Sequence, residues 1–252
     1  MLYVDFHRAT LQRGDCMALL PKLDAGSVDL VLADLPYGTT QCRWDSPLPL
    51  EKLWAEYRRI CRGTVVLFSQ APFDKILGAS NIKEFRYEWV WEKGNATGHL
   101  NSKRAPMKCH ENILVFAAKK PTYNPIKTSG HVRKTAVKRR GDTTPVYGKQ
   151  DFDSLLYDST DRYPRDVIKF ASEKQRGSKH PTQKPLPLCE YLIKTHSNAG
   201  DVVLDNVMGS GTTGVAAVNL GRTFIGMELD EHWYGYAQRR IGAALSATPH
   251  KD

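Results

Sequence analysis

The sequence predicts an α/β fold, in which a largely parallel sheet carries helices on both faces. Short apolar runs with strand character alternate with segments of helical spacing along most of the chain. A glycine-rich turn at 205–214 links a strand to a helix, as in nucleotide-binding βαβ units. The chain has 252 residues, of which 41% are hydrophobic and 25% charged, values typical of a globular domain with a buried core.

The predicted elements fall into two groups separated by an irregular stretch. In the first group we predict helices at 16–23, 53–61 and 73–79, and strands at 27–33, 64–68, 85–91 and 112–117. In the second group we predict a helix at 186–195, a strand at 201–204, a helix at 211–220, a strand at 223–228 and a helix at 232–245. The alternation of strands and helices in both groups favours a single sheet.

Several classes of protein are excluded by composition. No apolar run approaches the roughly 18 residues that span a bilayer, and the N-terminus lacks the features of a signal peptide. The five cysteines are far apart and contain no C-x-x-C pair, so we expect reduced thiols. The eight histidines lack metal-ligand spacing, since His110-Glu111 is followed by Leu114 where a zincin helix has a second His. We therefore predict a cytoplasmic protein without a metal site.

The positive charge is concentrated in one segment. Residues 119–179 contain 15 Lys and Arg but seven Asp and Glu, which accounts for eight of the nine net positive charges. The segment has no long apolar period and is too long for an ordinary connection, so we treat it as an insert with its own role. A solvated surface loop would explain the charge, but a polyanion such as nucleic acid explains it better.

The glycine turn predicts a site for a nucleoside-containing cofactor. Gly209 and Gly211 permit close approach of the backbone to a ligand at the end of a strand. Glu228 ends the next strand, where an acid can accept hydrogen bonds from both ribose hydroxyls. Because Gly209, Gly211 and Gly214 also match G-x-G-x-x-G, a nicotinamide site or a purely structural turn remains open.

A second loop, Asp34-Leu35-Pro36-Tyr37, follows a buried strand and has the composition of a base-binding site. Tyr37 can stack on a flipped base, while Asp34 and the Leu35 carbonyl accept hydrogen bonds from its exocyclic amino group. Pro36 stiffens the loop. The alternative is a turn in which Tyr37 packs on the core.

These two motifs resemble those of amino-group DNA methyltransferases. The loop at Asp34–Tyr37 resembles the family's D-P-P-Y motif, and residues 205–213 resemble its cofactor motif D-P-F-x-G-S-G-T-T. The catalytic motif comes first, the basic region second and the cofactor motif last, which is similar to the permuted order of the β class. The resemblance implies a Rossmann-like methyltransferase sheet with a catalytic half at 1–118, a target-recognition insert at 119–179 and a cofactor-binding half at 180–252.

The resemblance also implies roles for individual residues. His180-Pro181-Thr182-Gln183-Lys184-Pro185 is similar to the family's H-P-T-x-K-P segment, near the methionine part of S-adenosylmethionine, although a Pro-bounded turn is an alternative. The full cofactor set is Asp15, Asp34, His180, Thr182, Lys184, Asp205, Asn206, Gly209, Ser210, Gly211, Thr212, Thr213, Glu228 and Leu229. Asp15 is expected near the adenine of the cofactor, with an N-cap as its alternative role.

The DNA contacts form a second set. Trp91 and Lys93, in Trp91-Glu92-Lys93, resemble the family's W-x-K near the target pocket, although a core tryptophan is an alternative. In the insert, the densest basic candidates are Arg133, Lys134, Lys138, Arg139 and Arg140.

The implied activity is methyl transfer from S-adenosylmethionine to adenine N6 in DNA. Asp rather than Ser at position 34 favours adenine over cytosine N4, which remains the first alternative. Leu35 and Asn206-Val207 depart from the family pattern, and the second change leaves open how the cofactor or base is packed. An RNA methyltransferase, a DNA-binding module without activity, a homodimer and a partner restriction endonuclease are further possibilities.

Overall fold

The computed structural model describes residues 3–5, 8–38, 46–137, 156–172 and 183–247. The chain divides into two compact units, one formed by Met1–Asn124 with Asp166–Asp252 and the other by Pro125–Arg165. No helix in the described ranges combines the length and apolarity that a membrane span requires.

The described part of the chain contains eleven strands. They are β1 (Tyr3–Asp5), β2 (Ala9–Arg13), β3 (Val28–Ala33), β4 (Cys61–Ser69), β5 (Phe85–Thr97), β6 (Lys108–Phe116), β7 (Lys134–Val137), β8 (Leu156–Ser159), β9 (Val167–Lys169), β10 (Val202–Asp205) and β11 (Thr223–Glu228). Nine of them form one sheet in the first unit, in the order β1-β2-β11-β10-β3-β4-β6-β5-β9. β7 and β8 pair antiparallel in the second unit, which lies within the predicted insert.

Six helices accompany these strands in the described residues. They are α1 (Cys16–Leu19), α2 (Leu50–Ile60), α3 (Phe73–Ser80), α4 (Leu186–His196), α5 (Thr212–Asn219) and α6 (Glu231–Ala247). Helices α1, α2 and α3 pack on one face of the sheet, and α4, α5 and α6 pack on the other. Strand side chains alternate between these two cores, as Val66 and Phe68 of β4 do against Val65 and Leu67. The predicted α/β sheet with helices on both faces is confirmed.

The directions of the strands determine at which edge of the sheet a ligand-binding site can form. β2, β11, β10, β3 and β4 run parallel, and β6 is antiparallel to both β4 and β5. β5 therefore runs in the same direction as β4. The carboxyl ends of β3, β4, β5, β10 and β11 consequently lie along one edge of the sheet, where open α/β sheets bind ligands.

Some elements differ from the sequence prediction. The first helix, predicted at 16–23, ends at Leu19 and continues as one 3-10 turn over Leu20–Lys22. Pro21 explains the change, because it has no N–H for a further helical hydrogen bond. β5 was predicted to end at 91 but extends to Thr97. Strands β1, β2, β7, β8 and β9 were not predicted.

Candidate active site

A cavity of about 840 Å³ opens at the carboxyl edge of the sheet in the first unit. Its walls come from the loop after β3, the ends of β10 and β11, and the first residues of α1 and α5. The predicted site residues on its surface are Asp15, Asp34, Leu35, Pro36, Tyr37, Trp91, Lys93, Lys184, Asp205, Asn206, Gly209, Ser210, Thr212, Thr213, Glu228 and Leu229. The structure thus brings together the two motifs that the sequence separates.

The Asp34 loop is held by polar contacts at both carboxylate oxygens. Oδ1 of Asp34 accepts a hydrogen bond from the Tyr37 hydroxyl at 2.6 Å, and Oδ2 accepts one from Lys184 Nζ at 2.5 Å. The Tyr37 ring stacks on Phe73, with centroids 5.2 Å apart, and the Leu35 side chain is buried. Tyr37 therefore packs against the core in this structure, and a second ring would have to use its other face or replace Phe73.

Asp34 belongs to a buried chain of alternating charges that the sequence analysis did not anticipate. Lys184 Nζ also lies 3.3 Å from Glu111 Oε2, and Glu111 forms an ion pair with Lys93. Two carboxylates thus face two ammonium groups, all of them largely removed from solvent. Because each charge has an opposite neighbour, the desolvation cost of the cluster is partly offset.

The electrostatics of this cluster follow from burial and pairing. Burial raises the pKa of Asp34 above its usual value, although Lys184 beside it acts in the opposite direction. Burial alone would raise the pKa of Glu111, but Lys184 and Lys93 outweigh it and lower that pKa. For Lys184, burial is likewise outweighed by Asp34 and Glu111, which raise its pKa. Lys184 therefore stays protonated between them.

Glu111 is the functional candidate that sequence reasoning missed. In the sequence it stands out only as part of the incomplete zinc motif at His110-Glu111. The feature that could have identified it is the antiparallel pairing of Trp91 with Glu111, since the cross-strand neighbours of a predicted site residue are themselves candidates.

The glycine turn is tied to Glu228 by backbone hydrogen bonds. Gly209 N–H donates to Glu228 Oε2 and Asp230 N–H donates to Oε1, both at 2.8 Å. Gly209 and Gly211 have positive φ angles of 49° and 76°, which glycine adopts without strain. Each carboxylate oxygen of Glu228 keeps a further lone pair, so the group can also accept from a ligand.

Gly211 also has a packing role. A Cβ atom at this position would lie 2.8 Å from the Cβ of Ala237 in α6, so its lack of a side chain permits close packing of two helices. Next to it, Arg240 of α6 donates to the Ser210 carbonyl at 2.6 Å and to Thr212 Oγ1 at 3.1 Å. Helix α6 therefore stabilises the glycine turn through packing and hydrogen bonds.

The remaining cofactor candidates differ in exposure. Asp15 caps α1, accepting from Met17 N–H at 2.9 Å, and also lines the cavity, so its two predicted roles coexist. Asp205 is buried, which raises its pKa to about 7. Asn206, one of the departures from the family motif, accepts from the Tyr57 hydroxyl at 2.6 Å. Leu229 is 66% exposed.

The predicted DNA-contact residues differ in their burial and in their contacts. Trp91 is buried, and its Nε1 donates to the Phe170 carbonyl at 2.9 Å, but it also lines the cavity, so both of its predicted roles remain open. Arg133 pairs with Asp158 through two hydrogen bonds, whereas Lys134 is exposed. His180, Thr182, Lys138, Arg139 and Arg140 lie outside the described residues.

The edge cavity, the glycine turn and the acid after the next strand define an α/β protein built to bind a nucleoside-containing ligand. The family follows from a direct comparison: residues 28–239 match the model of the DNA methylase family of N6 and N4 methyltransferases. The chain belongs to this family. The predicted family is confirmed, and the nicotinamide alternative is wrong.

Individual relatives are similar over most of their length. The chain is 28% identical to the DNA adenine methyltransferase YhdJ of Escherichia coli K12, an alignment that covers 93% of this chain and 83% of that protein. It is 26% identical to the type II methyltransferase M2.DpnII of Streptococcus pneumoniae, with coverages of 96% and 92%.

Solved structures agree on the fold. The complex of M1.HpyAVI with SAM has 25% sequence identity and a TM-score of 0.60, covering 92% of this chain and 99% of its own. The cytosine-N4-specific PvuII DNA methyltransferase has 15% identity and a TM-score of 0.62, covering 95% and 92%. The second likeness concerns the fold alone.

Proposed function

We propose that the protein transfers a methyl group from S-adenosylmethionine to the N6 amino group of adenine in DNA. The observation that carries the proposal is the shared cavity, in which the Asp34 loop and the glycine turn face one volume at the sheet edge. The name of one relative, the DNA adenine methyltransferase YhdJ, supports adenine as the base.

The cavity fits S-adenosylmethionine in size and in chemistry. Its volume of about 840 Å³ is in the upper part of the range of ligand pockets, roughly 300–1,000 Å³. Its wall includes the carboxylates of Asp15 and Glu228, which suit a cationic ligand rich in hydroxyl and amino groups. When bound, the cofactor supplies an electrophilic methyl group. Glu228 and Asp15 would hold its ribose and adenine, and the turn at Gly209 would approach it closely.

Asp34 would act on the base. Its carboxylate and the Leu35 carbonyl would accept hydrogen bonds from the exocyclic amino group, which localises the nitrogen lone pair and stabilises developing positive charge. In this structure Lys184 occupies Oδ2 of Asp34, so the base would use a remaining lone pair or displace the ammonium group. If the base displaces the ammonium group of Lys184 from Asp34, that group can keep its ion pair with Glu111.

The basic insert at 119–179 would hold DNA phosphates while the base leaves the stack. Exposed Lys134 supports this role, and Arg133 would act together with its partner Asp158. Trp91 and Lys93 would support the target pocket from within the protein.

Nucleoside analysis tests the activity and the base together. Unmethylated DNA is incubated with S-adenosylmethionine and the protein, digested to nucleosides and analysed by mass spectrometry. We expect N6-methyladenine, and none with Asp34→Ala. N4-methylcytosine would keep the family and contradict the proposed base. Methylated RNA with unmodified DNA would contradict the proposed substrate, and a shift of DNA in a gel without any methyl transfer would indicate a binding module.

We propose a partner restriction endonuclease, because several relatives are named as type II methyltransferases. DNA modified by this protein should then resist a particular restriction enzyme in a digestion assay. Cleavage by every enzyme tested at the mapped site would favour a solitary methyltransferase. If the protein is a homodimer, analytical ultracentrifugation should give twice the mass of a single chain. Because the proposed substrate is DNA, we also expect a cytoplasmic location.

A further inference from the structure

The chain between Lys93 and Glu111 forms a hairpin arm, residues 94–110, that projects from the sheet. Lys93 and Glu111 are buried, whereas every residue from 94 to 110 is exposed. The strands β5 and β6 continue to pair in the arm, with Thr97 opposite Lys108, and a 3-10 turn at His99–Asn101 begins its tip. The sheet therefore extends into an arm in which every residue is exposed within the part of the chain that the structure describes.

The base of the arm belongs to the active-site cavity. Asn95, Ala96 and Thr97 line the cavity together with the Asp34 loop. Because β5 runs parallel to β4, the arm leaves the sheet at the carboxyl edge, on the same side as the cavity. A molecule that delivers a base to Asp34 must pass close to this arm.

The arm carries positive charge without compensation. It contains Lys103, Arg104 and Lys108 and no Asp or Glu. Lys108 Nζ donates to the Ala71 carbonyl at 3.2 Å, whereas Lys103 and Arg104 form no ion pair with any described residue. Free cations on an exposed hairpin are the arrangement that phosphate binding requires.

The tip of the arm presents an apolar side chain to solvent. Leu100 is 88% exposed, the highest value among the exposed large hydrophobic side chains in the described residues. It lies in the turn that follows Gly98, whose positive φ of 88° allows the chain to bend there. Leu100 precedes the cations Lys103 and Arg104 on the same exposed hairpin, and an apolar side chain next to phosphate-binding groups is suited to insertion between stacked bases.

We propose that the arm is a second DNA-contact element, in which Lys103 and Arg104 bind phosphates and Leu100 enters the base stack beside the target. There it would occupy the space that the flipped base leaves and slow its return. This inference rests on the proposed function. It adds an element outside the basic insert, to which sequence analysis had assigned the backbone contacts.

The phosphate contacts are tested by the salt dependence of DNA binding. The variants Lys103→Gln and Arg104→Gln are compared with Lys83→Gln, an exposed lysine before the start of β5, at the opposite edge of the sheet. Affinity for an unmethylated plasmid fragment is measured by fluorescence anisotropy at several salt concentrations. Each arm variant should lower the slope of log K against log salt by about 0.9, whereas Lys83→Gln should leave it unchanged.

The wedge is tested with base-flipping measurements on a duplex that carries the mapped target site. With 2-aminopurine in place of the target base, Leu100→Ala should give a smaller rise in fluorescence than the wild type, and its kcat/KM on normal DNA should fall about tenfold. Leu100→Phe should restore both values. Mispairing of the target base should also reduce the defect, because unpairing then costs less.

The exposed residue Ile82, 67% accessible and also before β5, supplies the control Ile82→Ala. Unchanged calorimetric binding of S-adenosylmethionine in all variants would show that the fold is intact. If the wild type methylated DNA while the three arm variants behaved like Lys83→Gln and Ile82→Ala, the arm proposal alone would be wrong. If the wild type methylated no DNA, the proposed function itself would be wrong.

Discussion

At the scale of single residues, Asp34 is the group on which the proposed chemistry depends. Asp34→Ala should reduce methyl transfer by at least about 10²–10³-fold, because it removes the acceptor for the amino group. Cofactor affinity should change little. The protein should fold, since Lys184 keeps Glu111 as a partner. Single-turnover methylation assays with calorimetry of cofactor binding measure both effects, and normal turnover would refute the base-site assignment.

Glu228 is predicted to act on the cofactor instead. Glu228→Ala should weaken binding of S-adenosylmethionine about 10–100-fold, the effect of losing hydrogen bonds to a charged group. Because Glu228 also accepts from Gly209 N–H, Glu228→Gln serves as a control that retains one acceptor for the turn. Isothermal titration calorimetry provides the measurement. Equal affinity in wild type and Glu228→Ala would contradict the ribose role.

We expect Asp205 to make the free energy of unfolding dependent on pH. Burial raises its pKa to about 7 from 3.8, so between these values the folded protein binds a proton that the unfolded chain has lost. The stability contributed by protonated Asp205 is therefore present at low pH and declines as pH rises from about 4 to 7. Relative to wild type, Asp205→Asn should be more stable at pH 8 than at pH 5. Urea denaturation at both pH values tests this, and a pH-independent difference would contradict it.

At the scale of elements, the turn before α5 depends on a missing side chain. Gly211→Ala should destabilise the protein by about 2–4 kcal/mol, because it combines a positive φ with a Cβ 2.8 Å from Ala237. Gly221→Ala is the matched control, since Gly221 has a φ of 71° but open space around it, and should cost about 1–2 kcal/mol. Thermal denaturation compares the two. Equal losses would mean that packing against α6 is unimportant.

Sequence patterns predicted most helices and central strands because those elements bury regular apolar faces. β2 and β9 escaped prediction since A-T-L-Q-R and V-I-K carry too little periodicity, and pairing with β11 and β5 stabilises them. The active-site residues show the same difference between features set by local sequence and features set by tertiary contacts. Motif resemblance identified Asp34 and Lys184 separately, but their ion pair joins distant parts of the chain, and Glu111 came from strand register alone.

At the scale of the whole molecule, charge is divided between an acidic cavity and a basic insert. The cavity is lined by Asp15, Asp34 and Glu228, among other acids, whereas 119–179 holds eight of the nine net positive charges. DNA affinity should therefore fall steeply with salt, by about 10³–10⁵ between 50 and 200 mM if six to ten phosphates are held. Affinity for S-adenosylmethionine should change little, because buried charges are weakly screened.

Two neighbouring residues of the insert refine this prediction. Lys134 is exposed, so Lys134→Gln should lower the salt slope of DNA binding by about 0.9. Arg133→Gln should have a smaller effect, because Asp158 already neutralises that guanidinium through two hydrogen bonds. Anisotropy titrations at several salt concentrations measure both slopes. A slope unaffected by Lys134→Gln would mean that this lysine holds no phosphate, and DNA affinity that is independent of salt would contradict the role of the insert altogether.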